Sequence, residues 1–427
     1  MFRISLKNLL SVAKSQSPLH LSSVRLINSC RSCIYPNILC VNLSARSNGH
    51  KQNAKCYLIP FQPSRCLNKK VSQNKLDQGS KKYLWYLVIS TFIVGACMLS
   101  TVGYSKVRRR LKGIENVTDE NTRKMKHFFR YKGVVLPQFT ENIVHKFENF
   151  EVRPDDVWVV SFPRSGTTWT QEIVYLINSN MDIEKAKTVA IDDRFPYLEY
   201  LTPGLDAIAN LPSPRLIKTH LPLKLLPKDI NKAKVIYVAR NPKDTAVSYY
   251  HFCKLLKTFS GEFDFFLKLF VNHKVGYAPW WQHVLDFWNI KDDPNVLFIT
   301  YEDMCEDMEG NIRKIAEFLG KNLSDKDVKY IEHHCSFDNM KNNTQVNYEW
   351  MRHLGIWDNK DKDNSHIRRG KIGEWRLYFN KETNYQINRM VAHKLNASGL
   401  TFKYDKDGAE ANDQGDVSEK QTAKDST

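Results

Sequence analysis

Val157-Trp158-Val159-Val160-Ser161-Phe162-Pro163-Arg164-Ser165-Gly166-Thr167-Thr168-Trp169 runs from a short apolar segment into a turn of small residues. The apolar run has the length and composition of a buried strand. Pro163 and Gly166 punctuate a tight loop, and from Trp169 to Ile177 the apolar residues recur at helical spacing. A strand, a small-residue loop and a helix in succession form an anion cradle, because the loop's backbone N–H groups and the positive end of the helix dipole point to one place. Ser165, Thr167 and Thr168 add hydroxyl donors and Arg164 a fixed cation, so phosphate or sulfate is the expected guest. The pattern is not the G-x-x-x-x-G-K-[ST] loop of kinases and NTPases: the first glycine is missing and the cation precedes Gly166.

Working outward, apolar runs at Val157–Val160, Arg215–Ile217, Val235–Val238 and Val296–Ile299 alternate with helical patterns at Thr245–Leu256, Pro279–Trp288 and Asn311–Leu319. This alternation predicts one α/β domain over 125–404, with a P-loop-like, mostly parallel sheet flanked by helices on both faces. Ligands of such sheets bind beyond the carboxyl ends of the strands. The second run leads into Ala239-Arg240-Asn241-Pro242-Lys243-Asp244, with Ser248 on the following helix; Arg and Ser so placed can converge on one phosphate. Lys218-Thr219-His220 closes another run, and a neutral histidine there can take a proton from a hydroxyl. A fourth element, Ser365-His366-Ile367-Arg368-Arg369-Gly370-Lys371-Ile372-Gly373-Glu374-Trp375-Arg376, is a basic glycine loop.

The net charge of +17 suggests a nucleic acid or a membrane, but its distribution argues against the former. Residues 1–82 hold 14 Lys and Arg against one acid, Asp77, and Lys106, Arg108, Arg109, Arg110 and Lys112 add five more cations; the rest of the chain sums to −1. The 1–82 leader reads as a basic segment without a fold, either an organelle (mitochondrial) transit peptide or a tail without an address. Its Cys30-x-x-Cys33 has no second pair at metal-binding spacing. Residues 83–104 are uncharged and edged by Tyr83, Trp85, Tyr86 and Tyr104, which predicts a single membrane-crossing helix. The denser basic linker that follows, 105–124, places the domain on the cytoplasmic or matrix side. The tail 405–427 lacks large apolar residues and reads as disordered.

In order and spacing, the four elements resemble the cytosolic sulfotransferase family over about Asn149 to Leu400. The first resembles the family's 5′-phosphosulfate loop, and Pro214–Pro222 its catalytic segment. Tyr237–Asp244 with Ser248–Phe252 resembles its 3′-phosphate segment, and Arg368-Arg369-Gly370 with Gly373 and Trp375 its R-K-G-x-x-G-x-W loop. The resemblance implies the sulfotransferase fold and transfer of a sulfuryl group from 3′-phosphoadenylyl sulfate (PAPS) to a small-molecule alcohol, phenol or amine, without a metal. It makes His220 the general base, with Lys218 and Arg164 facing the departing phosphate. It gives the nucleotide Arg164, Ser165, Gly166, Thr167, Thr168, Trp169, Arg240, Ser248, Tyr301, Ser336, Phe337, Met340, Arg368, Arg369 and Gly370, and it lines the acceptor pocket with Tyr197, Tyr200, Leu205 and Phe252. Three departures stand out: Arg164 and Arg369 replace lysines, Cys335 replaces a threonine, and Asn380, Lys381 and Tyr385 break the family's dimer motif. The alternative is a PAPS-binding module with little turnover.

Overall fold

The computed structural model describes residues 21–26, 38–47, 50–51, 55–60, 89, 91, 107, 109–117, 124–358 and 364–404. Val157–Ser161 is a strand buried along its whole length. It lies inside a four-stranded sheet ordered Val296–Thr300, Lys234–Ala239, Val157–Ser161, Leu216–Thr219. Every pairing is parallel, with Val235 opposite both Trp158 and Val296, and Val157 opposite Leu216. Side chains alternate across a strand, and the two faces feed separate cores. Trp158, Val160, Ile217, Val235 and Tyr237 enter one; Val157, Val159, Leu216, Ile236 and Val238 enter the other. A sheet covered on both faces needs continuous apolar strands, which is why these runs show no polar alternation.

The chain leaves Val157–Ser161, returns on one side as Leu216–Thr219, then crosses to the other side as Lys234–Ala239. Strand order therefore reverses at Val157–Ser161, and a crevice opens beyond its carboxyl end. The turns after Ser161, Thr219 and Ala239 all emerge there.

Two expectations need adjusting. The fold reaches back before residue 125: Ile114–Asn116 pairs with Phe128–Tyr131, which pairs with Val134–Pro137, and Ile114 is buried in the first core. Within residues 1–82, Leu21–Leu26, Ile38–Ser47, His50–Lys51 and Lys55–Pro60 pair as antiparallel strands of a separate compact unit. Charge dominated the reading of this leader, whereas Ile38-Leu39-Cys40-Val41-Asn42-Leu43 has strand propensity. The expected membrane helix falls at residues 83–104, of which Ile89 and Thr91 alone are described, and the 405–427 tail and Cys30-x-x-Cys33 lie outside the described residues. Among the described residues no helix is long and apolar enough to cross a membrane.

Candidate active site

The turn after Ser161 is strained in the way an anion cradle requires. Arg164 has φ +74° and Gly166 φ +100°, both in the left-handed region. A side chain at Gly166 would meet the Tyr301 ring 2.8 Å from its Cβ. The Thr167–Asn178 helix begins directly after Gly166, and no side chain caps it. Its first N–H groups therefore lack the usual intrahelical or side-chain acceptor, which suits an incoming anion. Ser165 Oγ is buried without a protein partner. Thr167 Oγ1 lies 2.6 Å from Ser161 Oγ, tying the first helical residue back to the strand.

Arg164 does not stand in the loop as a lysine would. Its Nε donates to Ser248 Oγ at 3.2 Å and its Nη2 to the His366 carbonyl at 2.6 Å, while Nη1 lies 3.3 Å from His366 Nδ1. Phe252 supports the guanidinium from 4.8 Å. Burial, then Arg368 and Arg240, push Arg164 down to about 9, so it is still a cation at neutral pH. Two further guanidiniums opposing the charge on Arg164 suit a site that takes an anion. Arg240 is buried over the Tyr301 ring and donates to the carbonyls of Arg164 and Lys371. Tyr301 also meets Trp169 edge to face at 5.6 Å.

The glycine loop is clasped to this end by Asp244, whose carboxylate accepts from the N–H groups of Gly373 (2.9 Å) and Trp375 (3.0 Å). Gly370, at φ +64°, lies against the Phe337 ring, where a Cβ would collide. Ser336 is the N-cap position of the Phe337–Asn342 helix, and Met340 is buried in the second core. Both Nη atoms of Arg368 donate to the Glu374 carboxylate, and Arg369 Nε lies 3.3 Å from it. The pair expected to clamp a phosphate thus faces a carboxylate, although Arg368 Nε is buried without a protein partner.

His220 follows the neighbouring strand Leu216–Thr219, and its ring reaches across to the strand end that carries the cradle. Its Nδ1 lies 2.7 Å from the Ser161 carbonyl oxygen. A carbonyl only accepts, so Nδ1 carries the hydrogen and Nε2 keeps its lone pair. Burial, then Lys218, hold the imidazole well below its usual value, against the pull of the Ser161 carbonyl. The backbone is pinned as well: His220 N–H donates to Glu199 Oε1 at 2.8 Å, and the His220 carbonyl accepts from His283 Nε2 at 2.9 Å. His283 Nδ1 in turn lies 2.8 Å from Tyr237 Oη. Glu199, buried, is pushed up to about 8. Lys218 is lowered by burial and lies over the Tyr197 ring at 4.6 Å.

The residues expected around the acceptor separate. Tyr197 packs 5.4 Å from His220 and 4.3 Å from Tyr200, and its hydroxyl meets that of Tyr277 at 2.6 Å. Tyr277 is itself 5.6 Å from His220. Phe252 instead carries Arg164 and packs 5.7 Å from His366, and Leu205 sits buried in the first core at the start of the Leu205–Ala209 helix. Among the described residues no group of three or more His, Cys, Asp or Glu is gathered as a metal site would need.

A family model described as "Sulfotransferase domain" matches residues 154–399, more than half of the 427-residue chain. The chain belongs to the sulfotransferase family. Human Sulfotransferase 4A1 is 38% identical over 281 residues, 65% of this chain and 93% of the relative. Dog Sulfotransferase 1B1 is 41% identical over 266 residues, 60% and 88% respectively. Among solved structures, retinol dehydratase in complex with androsterone and the inactive cofactor PAP is 31% identical, with a TM-score of 0.63 over 68% of this chain and 97% of that one. Mouse sulfotransferase SULT7A1 complexed with PAP is 28% identical, with a TM-score of 0.52 over 64% and 95%. The fold is the sulfotransferase fold.

Seen in this sulfotransferase, several residues at the site had no role in the sequence reading. His366 lies inside the basic glycine loop and Glu199 between Tyr197 and Tyr200, while Tyr277, His283 and Tyr348 give no motif signal. Tyr277 arrives through the hairpin: its N–H donates to the Val135 carbonyl at 2.6 Å. The Asn380 that interrupts the dimer motif caps the Lys381–Leu395 helix in a capping box, and Leu377 and Tyr385 are exposed.

Proposed function

We propose that the chain is a PAPS-dependent sulfotransferase acting on a hydroxyl or amine of a small-molecule acceptor, with His220 as general base. One observation carries this reading: Ser161 ends the strand that feeds the uncapped Gly166 turn, and its carbonyl holds Nδ1 of His220 from the neighbouring strand, so base and cradle are tied to one point. The fit of the nucleotide is supported by four buried polar atoms without protein partners, Ser165 Oγ, Trp169 Nε1, Arg240 Nε and Arg368 Nε, all on residues that the family resemblance gives to the nucleotide. Groups so placed are costly unless a ligand satisfies them. PAP, the desulfated nucleotide, is bound in the retinol dehydratase and SULT7A1 structures.

When bound, PAPS would supply the sulfuryl group and, as leaving group, its 5′-phosphate. Ser165, Gly166, Thr167 and Thr168 would bind that phosphate with Lys218, while Arg240, Ser248, Arg368, Arg369 and Gly370 would hold the 3′-phosphate. Trp169 and Phe337 would flank adenine, with Tyr301, Ser336 and Met340 completing the pocket. His220 Nε2 would take the acceptor's proton as the acceptor oxygen or nitrogen displaces the phosphate oxygen from sulfur, and Lys218 and the helix N-terminus would neutralise the charge left on that oxygen. Arg164, drawn to Ser248 and His366, orients the cradle. Tyr197, Tyr200 and Tyr277 would surround the acceptor.

Transfer of labelled sulfate from PAPS to simple phenols tests the reading; no transfer with intact PAP binding would favour the second one, a binding module with little turnover. The engagement of Arg164 with Ser248 and His366 is the observation on that side. Anchoring through residues 83–104 and delivery by the leader rest on the sequence alone. Recovery of the full chain in the soluble fraction after cell lysis would remove the anchor.

A further inference from the structure

His366 stands where Arg164, Thr168 and two aromatic rings meet. Its Nε2 is 3.1 Å from Thr168 Oγ1 and its Nδ1 3.3 Å from Arg164 Nη1, and its carbonyl accepts from Arg164 Nη2 at 2.6 Å. Tyr348 at 4.6 Å and Phe252 at 5.7 Å confine the ring. The Tyr348 hydroxyl is itself fixed by donating to Asp192 Oδ1 at 2.8 Å. All of this joins the Ser365–Arg376 loop to the Gly166 turn across about 200 residues of sequence, as the separations of 202 and 198 positions show.

The chemistry of the partners fixes the ring's hydrogens. A guanidinium has donors and no acceptor, so the Nδ1 facing Arg164 must be the bare nitrogen. Nε2 then carries the hydrogen and donates to Thr168 Oγ1. That donation occupies a lone pair of the hydroxyl and leaves the Thr168 hydrogen free to turn toward an anion in the turn. Meanwhile Arg164, gripped by the His366 carbonyl, by Nδ1 and by Ser248 Oγ, cannot swing out. Arginine is longer than lysine and forks its donors, and without such a hold its guanidinium would have several places to go at the mouth of the cradle.

We infer that His366 is a positioning residue for the nucleotide: it aims the Thr168 hydroxyl at the 5′-phosphosulfate end and locks Arg164, the arginine that stands where the family has lysine. The inference rests on the proposed nucleotide reading and adds a residue to it. The contacts of His366 are with Thr168 and Arg164 of the cradle, so its loss should be read in nucleotide binding before it is read in turnover.

The experiment uses the full chain and PAP, measured by calorimetry, alongside steady-state kinetics in PAPS. His366→Phe keeps the ring packing and removes both nitrogens. It should weaken PAP about tenfold, the worth of two oriented hydrogen bonds, and raise the KM for PAPS more than it lowers kcat. His366→Gln, which restores an acceptor and a donor, should recover part of the loss. In a Thr168→Val background, His366→Phe should cost distinctly less than in the native chain, because the Thr168 arm is already gone. PAP affinity unchanged in a folded His366→Phe protein would overturn the inference while leaving the sulfotransferase reading standing. An equal cost in both backgrounds would overturn the Thr168 arm. A native chain that binds no PAP would overturn the nucleotide reading and the inference with it.

Discussion

Two strand–turn–helix units sit side by side in this molecule and are used in opposite ways. Val157–Ser161 leads into the Thr167–Asn178 helix through Gly166, which offers no cap. Lys234–Ala239 leads into the Pro242–Leu255 helix through Asn241, whose side chain accepts from Asp244 N–H, with Pro242 completing the first turn. The capped unit satisfies one of its helix's free N–H groups itself and turns the Asp244 carboxylate outward, as a clasp for the glycine loop, so that only side chains, Arg240 and Ser248, remain for the proposed nucleotide. The uncapped unit leaves its donors for a guest. The same local fold becomes a binding site or a brace according to whether one position offers a side-chain oxygen.

The strongest way to break this comparison is to remove the proposed base, which is tied to the uncapped unit's strand end. His220→Ala should lower turnover by roughly 10²–10⁴-fold and leave PAP binding in place, as rapid-quench assays and calorimetry would show; full turnover would move the chemistry elsewhere. Next comes the brace. Asp244→Ala strands the N–H groups of Gly373 and Trp375 and should cost about 3 kcal/mol in urea unfolding. Gly166→Ala imposes the left-handed conformation on an L-residue and pushes a methyl at Tyr301, for about 1–2 kcal/mol; it should lose PAP affinity as well. Asn241→Ala, the cap on the other unit, should cost about 1 kcal/mol and spare the intrinsic geometry of the cradle. The smallest effect is on pH. Glu199, raised to about 8 from an ordinary 4.5, stays protonated in the fold while the unfolded chain ionises. Its contribution to stability is therefore whole below pH 4.5 and lost as pH rises through 8. Glu199→Gln should flatten that part of the melting-temperature profile, and an unaltered slope would show that Glu199 is ionised in the native state.

The comparison also explains what was legible beforehand. The cradle and the Arg240 segment are written in contiguous residues: an apolar run, a Pro or Gly, then helical spacing. Lys218-Thr219-His220 is likewise local. The acceptor side is not. Tyr277 reaches Tyr197 from 80 positions away, held by a hairpin whose partner strand Val134–Pro137 says nothing of its use. In the sequence His366 is only part of a basic loop, because its partners, Arg164 and Thr168, lie some 200 positions earlier. Phe252, which the resemblance gives to the acceptor pocket, also lies against Arg164: a guanidinium attracts an aromatic face, and arginine, longer than lysine, reaches it. In the leader, charge masked strand-forming stretches whose pairing depends on contacts that composition does not encode.

The hold on the His220 main chain has a last consequence. Glu199 anchors its amide, and His283, wedged against Tyr237 beneath the sheet, anchors its carbonyl. On the proposed mechanism, an imidazole whose main chain is pinned on both sides by buried groups would have little freedom to chase a badly seated acceptor. Discrimination among acceptors would then fall to their own shape: a molecule that misplaces its nucleophile by an ångström would be penalised in rate, however tightly it binds.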